Sequence, residues 1–168
     1  MKKYEFVERD TIEHNGVTLK RIRAINDFGG VFAGDLGGYI EDEKNLAHEG
    51  NAWVSGNAQV YGNAEVSGNA RVYGDAWVSG NAWVYGDARV SGDAEITKTP
   101  INIIGLAYNV TIYAGLAQVG CKLYTLEEWL KFSEDAIRKM DGDKAVTFYP
   151  KLVKILEMFG GVSNHDTE

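Results

Sequence analysis

Residues 51–98 contain eight consecutive copies of one six-residue unit. The copies read NAWVSG, NAQVYG, NAEVSG, NARVYG, DAWVSG, NAWVYG, DARVSG and DAEITK. A short period that continues without interruption requires every unit to adopt the same local structure and to stack on its neighbours. The repeat therefore predicts a solenoid, and it constrains the fold more than any other feature of the chain.

Each unit alternates in the order Ala-x-Val-x and then passes through Gly followed by Asn or Asp. Period-two alternation places Ala and Val on one face of a short strand and the variable residues on the other face. Gly and Asn tolerate the left-handed backbone conformation that a corner needs, so the chain is predicted to turn after every unit. Small Ala and Val side chains suit a narrow interior where several strands converge.

This pattern resembles the hexapeptide-repeat left-handed β-helix, in which an aliphatic residue is followed four positions later by a small one, as Val54 is by Ala58. The resemblance implies three units per coil, so that residues eighteen positions apart stack in columns. The first outward column then contains Trp53, Arg71 and Arg89. The second contains Gln59, Trp77 and Glu95, the third contains Glu65 and Trp83, and the neighbouring outward positions include Tyr61, Tyr73 and Tyr85.

The repeat extends upstream in a degenerate form, which brings the predicted total to about ten units. In the phase of the strict repeat, Leu46 takes an Ala position and His48 takes a Val position. Ile40 falls in the Ala column of the preceding unit. This phase predicts that His48 points into the interior of the coil.

Four segments are predicted for a chain that is mainly β. Residues 1–33 form an N-terminal β segment with a hairpin at Asn15-Gly16, and residues 34–98 form the left-handed parallel β-helix. Residues 99–121 add further strands, and residues 122–168 form an α-helical C-terminal cap and tail. Thr125 and Glu128 have the spacing of a capping box, and an open solenoid end needs a cover, so we expect the helices to lie over it.

The composition excludes several classes of function. With 17 Lys and Arg against 24 Asp and Glu, the net charge is −7, which argues against general nucleic-acid binding and against an anionic membrane surface. The uncharged stretch 101–120 alternates as strands do, so it predicts no membrane span. Cys121 is the single cysteine, and no apolar run follows the first lysines, which together favour a cytoplasmic protein.

Catalytic candidates are few. Hexapeptide-repeat acyltransferases, which the coil resembles, use a histidine as general base, and His48 is the only histidine in or near the coil. An inward side chain could not reach a substrate hydroxyl, so His48 is a weak candidate and we expect no enzyme activity. His14, His48 and His165 lie in three different segments, and no glycine-rich phosphate loop is present, so neither a metal site nor a cofactor is predicted.

The outward aromatic and arginine side chains are the strongest functional signal. Large apolar side chains on solvent-facing flanks favour a covered surface, and Trp, Tyr and Arg are the usual anchors of protein interfaces. We expect a homotrimer, and the further partners predicted are a small nucleotide-like ligand in a cleft between subunits or a host protein. The candidate partner-binding residues are Trp53, Arg71, Tyr73, Trp77, Trp83, Tyr85 and Arg89, with Arg21 and Arg23 of the basic strand.

The whole chain also resembles hexapeptide-repeat proteins of phages and prophages, some of which carry a "polymer-forming" label. The shared pieces are the Gly-rich segment from Asp27 to Ile40, the repeats, and a tail that includes Thr125-Leu126-Glu127-Glu128-Trp129. This resemblance implies a small, cytoplasmic, phage-encoded accessory protein. We expect its function to be that of a non-catalytic oligomeric binding protein that inhibits or sequesters a host defence component, either a protein or a nucleotide signal. An acyltransferase-like enzyme and a purely structural phage module are the alternatives.

Overall fold

The hexads form a parallel β-solenoid in the computed structural model, which describes residues 1–160. Strands pair eighteen residues apart, so that Trp53 lies beside Arg71 and Arg71 beside Arg89, as the repeat predicts. The predicted fold class is therefore confirmed. The strands of the strict repeat are β4 (Trp53–Val54), β5 (Gln59–Val60), β6 (Glu65–Val66), β7 (Arg71–Val72), β8 (Trp77–Val78), β9 (Trp83–Val84), β10 (Arg89–Val90) and β11 (Glu95–Ile96).

The interior of the solenoid contains only the Ala and Val columns over most of its length. Every Ala and Val of these columns from Ala52 to Val90 is at most 1% exposed. The corner glycines have positive φ, and the corners stack closely, because a Cβ atom on Gly74 would lie 3.1 Å from the carbonyl oxygen of Gly92. Glycine is thus required there both for its backbone conformation and for its size.

The phase predicted for the upstream units is wrong. Ile40 pairs with Val60 and Leu46 bridges Val66, so both residues occupy the Val column and not the Ala column. The 3₁₀ turn Glu43–Asn45 keeps the six-residue spacing, but Leu46 and Val54 are eight residues apart, so the segment between Ala47 and Asn51 contains two more residues than the strict repeat has at that point. His48 falls in this excess segment and lies outside the interior, half-buried.

The N-terminal hairpin extends one sheet of the solenoid. It consists of β1 (Tyr4–His14) and β2 (Val17–Ala24), joined at Asn15-Gly16 as predicted, and β2 pairs with β3 (Leu36–Ile40). The resulting sheet has the order β1-β2-β3-β5-β8-β11. At the hairpin tip, the His14 ring lies 4.3 Å from the Trp77 ring. The hairpin therefore covers part of the flank formed by β5, β8 and β11, which is the second flank of the solenoid.

The C-terminal strands form a separate antiparallel sheet. Its strands, in spatial order, are β12 (Ile101–Ile103), β13 (Val110–Tyr113), β14 (Leu116–Val119) and β15 (Lys122–Thr125). The strand β15 lies in the segment that the sequence predicted to be helical. Helix α1 (Leu126–Lys131) then begins at Thr125 with the predicted capping box, and α2 (Glu134–Gly160) is interrupted at Asp141 and Gly142.

This sheet, and not the helical pair, covers the solenoid. On this flank the N–H groups of Arg71 and Tyr73 donate to carbonyl groups of the following coil, so the equivalent N–H groups of Arg89 and Ser91 in the last coil have no strand partner among the described residues. The hydroxyl groups of Thr111 and Tyr113 accept from the N–H groups of Arg89 and Ser91, at 3.2 and 3.1 Å. The helices pack on the opposite face of the sheet, in a second core that includes Trp129.

Two further predictions concern the end of the chain and the membrane. Residues 161–168, which include most of the predicted tail and His165, lie outside the described residues. Within residues 1–160, no helix combines the length and the apolar character that a membrane span requires.

Candidate functional site: an arginine groove

Two polar cavities lie side by side on the flank formed by β4, β7 and β10. The first, of about 270 Å³, is lined by Arg71, Arg89, the Gly29 loop and the corner side chains of Asn51, Asn69 and Asp87. The second, of about 240 Å³, is lined by Arg89, Thr111, Gln118 and Cys121. Arg89 and Asn109 line both cavities, so together they form one groove, which we call the arginine groove.

The two guanidinium groups belong to adjacent strands. Arg71 and Arg89 are directly paired in the parallel sheet, so their side chains leave the same face one strand spacing apart. Like charges in this relationship repel each other. Among the described residues, neither arginine has an ion pair with a carboxylate. Arg71 donates to the backbone carbonyl of Gly29, and Asp87 in the groove wall accepts from Asn69.

The groove has a local excess of positive charge in an acidic chain. Burial lowers the pKa of Arg71, and the nearby Arg89 lowers it further. Burial also lowers the pKa of Lys3 to about 8, with a smaller contribution from the charge of Arg71. Desolvation and mutual repulsion both disfavour the charged forms, and the attraction of a bound anion would offset both.

The wall of the groove depends on a glycine. Gly29 has φ +48, and a Cβ atom there would lie 2.7 Å from Cβ of Asn51 and 2.9 Å from Nη2 of Arg71. Only glycine lets the loop approach the arginine this closely. The loop therefore fixes Arg71, whereas the Arg89 side chain has no hydrogen bond within residues 1–160 and is exposed.

The other residues of the first column, and those beside it, are covered. Trp53 is only 3% exposed and packs against Phe28 and Tyr4. The Tyr73 hydroxyl accepts from Nε2 of Gln118, so the C-terminal sheet holds it in place. These positions belong to the intramolecular packing of the flank, and the two arginines remain as its accessible part.

On the third flank, formed by β6 and β9, the aromatic residues predicted to bind a partner are exposed. Trp83 and Tyr85 are 49% and 45% exposed, and their rings lie 4.8 Å apart. The indole nitrogen of Trp83 donates to the Ser67 hydroxyl, which fixes the ring across the strand β6. Trp77 on the second flank is partly covered by His14 and is therefore not part of this exposed pair.

The basic strand of the hairpin is engaged within the molecule. Arg21 pairs with Asp10 at 2.9 Å and donates to the carbonyl of Gly37 and to the Tyr39 hydroxyl. Arg23 pairs with Glu5. The two ion pairs join the strands of the hairpin to each other, and the other contacts of Arg21 attach the hairpin to β3. Neither arginine lines the arginine groove.

His48 packs at the N-terminal end of the coil. Its ring stacks on Tyr4 at 4.3 Å, and its Nδ1 accepts from the backbone N–H of Lys3 at 3.3 Å. Nε2 is inaccessible to solvent and lies 3.7 Å from a Glu43 carboxylate oxygen. A general base needs a nitrogen that can reach the substrate, so this arrangement is suited to packing.

Sequence reasoning did not identify the opposite wall of the groove. Asn109, Thr111 and Gln118 lie in the uncharged stretch 101–120, and Gln118 is 1% exposed. The alternation of polar and apolar residues in this stretch could have identified them. Thr111 and Gln118 lie on one face of the sheet, whereas Val110 and Val119 lie on the other. Residues 1–160 contain no group of three or more His, Cys, Asp and Glu side chains arranged to hold a metal ion.

The repeat resembles a known solenoid family. The family described as "YdcK Beta solenoid repeat" matches residues 64–80. The chain is similar to the protein named "Uncharacterized acetyltransferase YdcK" of Escherichia coli (strain K12), at 41% identity over 61 residues. That match covers 32% of this chain and 19% of the relative, so the chain spans about a fifth of the relative's length. The similarity supports the solenoid fold.

Proposed function

We propose that this protein is a non-catalytic binding protein whose arginine groove takes a small anion with phosphate or carboxylate oxygens. The observation that carries the proposal is the pairing of Arg71 with Arg89 on adjacent strands without an ion pair among the described residues. A guanidinium presents a planar fork of donors that matches such oxygens. An anion between the two forks replaces their repulsion with attraction.

The uncharged side chains in the groove lining support the same ligand chemistry. The amide groups of Asn51 and Asn109 line the cavities and can donate to further ligand oxygens. The total cavity space is in the range that holds a small phosphorylated metabolite. The nucleotide-like ligand expected from the sequence belongs to this chemical class.

A calorimetric titration with inorganic pyrophosphate tests the proposal. We expect saturable binding that weakens as salt is raised, because surface charge attraction is screened. Arg89→Gln should weaken it at least tenfold, and since the Arg89 side chain makes no hydrogen bond within the described residues, this variant should keep the fold. Lys98→Gln removes the same charge from an exposed site away from the groove and should change affinity less than twofold.

Two results decide the matter. Equal affinities for the wild type and Arg89→Gln would refute the groove as the site. A parallel titration with a nucleoside diphosphate shows whether a base adds affinity beyond that of the pyrophosphate group.

An acyltransferase-like activity is the second candidate, favoured by the similarity to a relative named as an uncharacterized acetyltransferase. The position of His48 opposes it, because both ring nitrogens are engaged or buried. Acetyl transfer from acetyl coenzyme A that is lost in His48→Ala, while the fold is retained, would establish this alternative. Binding of pyrophosphate that is unaffected by His48→Ala would favour the binding protein.

The exposed pair Trp83 and Tyr85 supports self-association, and we propose the homotrimer that the sequence suggested. Exposed aromatic rings on a flat flank are typical anchors of an interface. A phage origin, a host target, a counter-defence role and a cytoplasmic location stay predictions. Native mass spectrometry of the protein from infected cells would identify the stoichiometry and any bound partner.

A further inference from the structure

The second core, between the C-terminal sheet and the helices, contains an apolar pocket. Its volume is about 200 Å³, and it lies where α2 is interrupted at Asp141 and Gly142. The interruption separates two helical stretches that both line the pocket, through Ile137 on one side and Phe148 on the other. A cavity of about 150 Å³ lined by apolar side chains holds benzene, so this pocket has room for a small ring compound.

Aromatic side chains form much of the pocket wall, and their polar atoms are already used. The indole nitrogen of Trp129 donates to the carbonyl of Ala117 at 2.8 Å. The Tyr149 hydroxyl donates to the carbonyl of Trp129 at 2.7 Å, and the Tyr108 hydroxyl donates to Asp141 at 2.5 Å. With Phe148, these residues present ring surfaces to the pocket and no free donor of their own.

We propose that this pocket is a binding site for a small uncharged aromatic molecule. Ring edges and faces attract one another in edge-to-face and offset arrangements, and a ligand ring would add to the pairs already present, such as Tyr108 with Phe148 at 5.3 Å. The charged side chains in the lining do not require a charged ligand, because Asp141 is bonded to Tyr108 and Lys122 is partly exposed to solvent. The site is separate from the arginine groove, although Cys121 borders both.

Cys121 provides a reporter that needs no substitution. It is exposed, it lines the pocket, and it is the single cysteine of the chain. A ring bound in the pocket should shield its thiol. The rate at which a thiol reagent modifies wild-type protein should therefore fall as indole is added. This decrease should level off at the indole concentration at which ligand-observed NMR shows that binding is saturated.

A pocket-filling variant completes the test. Ala145 lines the pocket from α2, and Ala145→Leu should fill the space, raise the melting temperature without ligand, and weaken indole binding at least tenfold. Ala33→Leu makes the same change at an exposed loop position and should alter neither property. Absence of saturable indole binding to wild-type protein, or binding that leaves the Cys121 reaction rate unchanged, would overturn the proposal.

Discussion

The ammonium group of Lys3 donates a hydrogen bond of 2.8 Å to the backbone carbonyl of Ala52. The carbonyl groups of Ala70 and Ala88 accept from N–H groups of the coil before them, so the equivalent carbonyl of Ala52 in the first coil has no strand partner within residues 1–160. Lys3 donates to this Ala52 carbonyl, and on another sheet the Asn45 amide donates to the carbonyl of Ala64 at 2.8 Å. Donor side chains thus cap the first coil, and the hydroxyl acceptors Thr111 and Tyr113 cap the last one.

The cap at Lys3 should make stability depend on pH. Burial lowers the pKa of Lys3 in the folded protein from 10.5 to about 8, so the unfolded chain binds more protons between these values. Stability should therefore rise by about 2 kcal/mol between pH 7.5 and 9.5. Lys3→Met should lack this rise, whereas Lys98→Met at an exposed site should retain it. Urea unfolding at several pH values measures both slopes, and parallel slopes for wild type and Lys3→Met would contradict the assignment.

The asparagine ladder at one corner should be sensitive to a single negative charge. Asn51 donates to Asn69 at 3.0 Å, and Asn69 donates to Asp87 at 3.1 Å. Asn69→Asp removes the donor and stacks two carboxylates, which should cost about 1–2 kcal/mol at neutral pH. Asp87→Asn keeps the acceptor at the end of the ladder and should be nearly neutral. The loss in Asn69→Asp should shrink below pH 4, and a loss that is independent of pH would exclude charge repulsion as its cause.

Alanine substitutions at two glycines with the same φ distinguish the cost of a positive φ from the cost of steric crowding. Gly74 and Gly115 both have φ +75, but a Cβ atom would lie 3.1 Å from the Gly92 carbonyl oxygen at Gly74 and would meet nothing within 4 Å at Gly115. Gly115→Ala should cost about 1 kcal/mol from the backbone alone, and Gly74→Ala should cost about 2–3 kcal/mol because the corners must also move apart. Chemical denaturation gives both values. Equal losses would mean that corner stacking adds nothing.

The strict repeat was sufficient to predict the solenoid and its columns, because each unit carries an Ala, a Val and a Gly that mark its phase. The upstream units lack these markers, so no local pattern indicates the two additional residues that shift Ile40, Leu46 and His48. The coverage of each flank was also beyond the sequence. Trp53 is 3% exposed and Trp83 is 49% exposed although both occupy the same position of identical local motifs, since distant segments cover only the first.

The candidate site, too, could be predicted only in part from the sequence. The column of Arg71 and Arg89 followed from the eighteen-residue spacing, and the structure pairs them. The loop at Gly29 and the wall at Asn109 come from segments with no repeat, whose position depends on tertiary packing that no local pattern specifies. Periodic sequence thus predicted one wall of the groove, and aperiodic sequence supplies the other.

The exposed flank should control self-association. Trp83→Glu with Tyr85→Glu places charge on the uncovered face and should convert the proposed trimer to a monomer, since buried unpaired charge opposes assembly. Both side chains are about half exposed within residues 1–160, so the melting temperature of the isolated chain should fall by only a few degrees. Ile104→Glu with Leu106→Glu introduces the same charge at exposed apolar positions of the C-terminal segment and should leave the mass unchanged. Light scattering after size exclusion reports the mass of each variant, and a wild-type protein that is monomeric at high micromolar concentration would refute the interface.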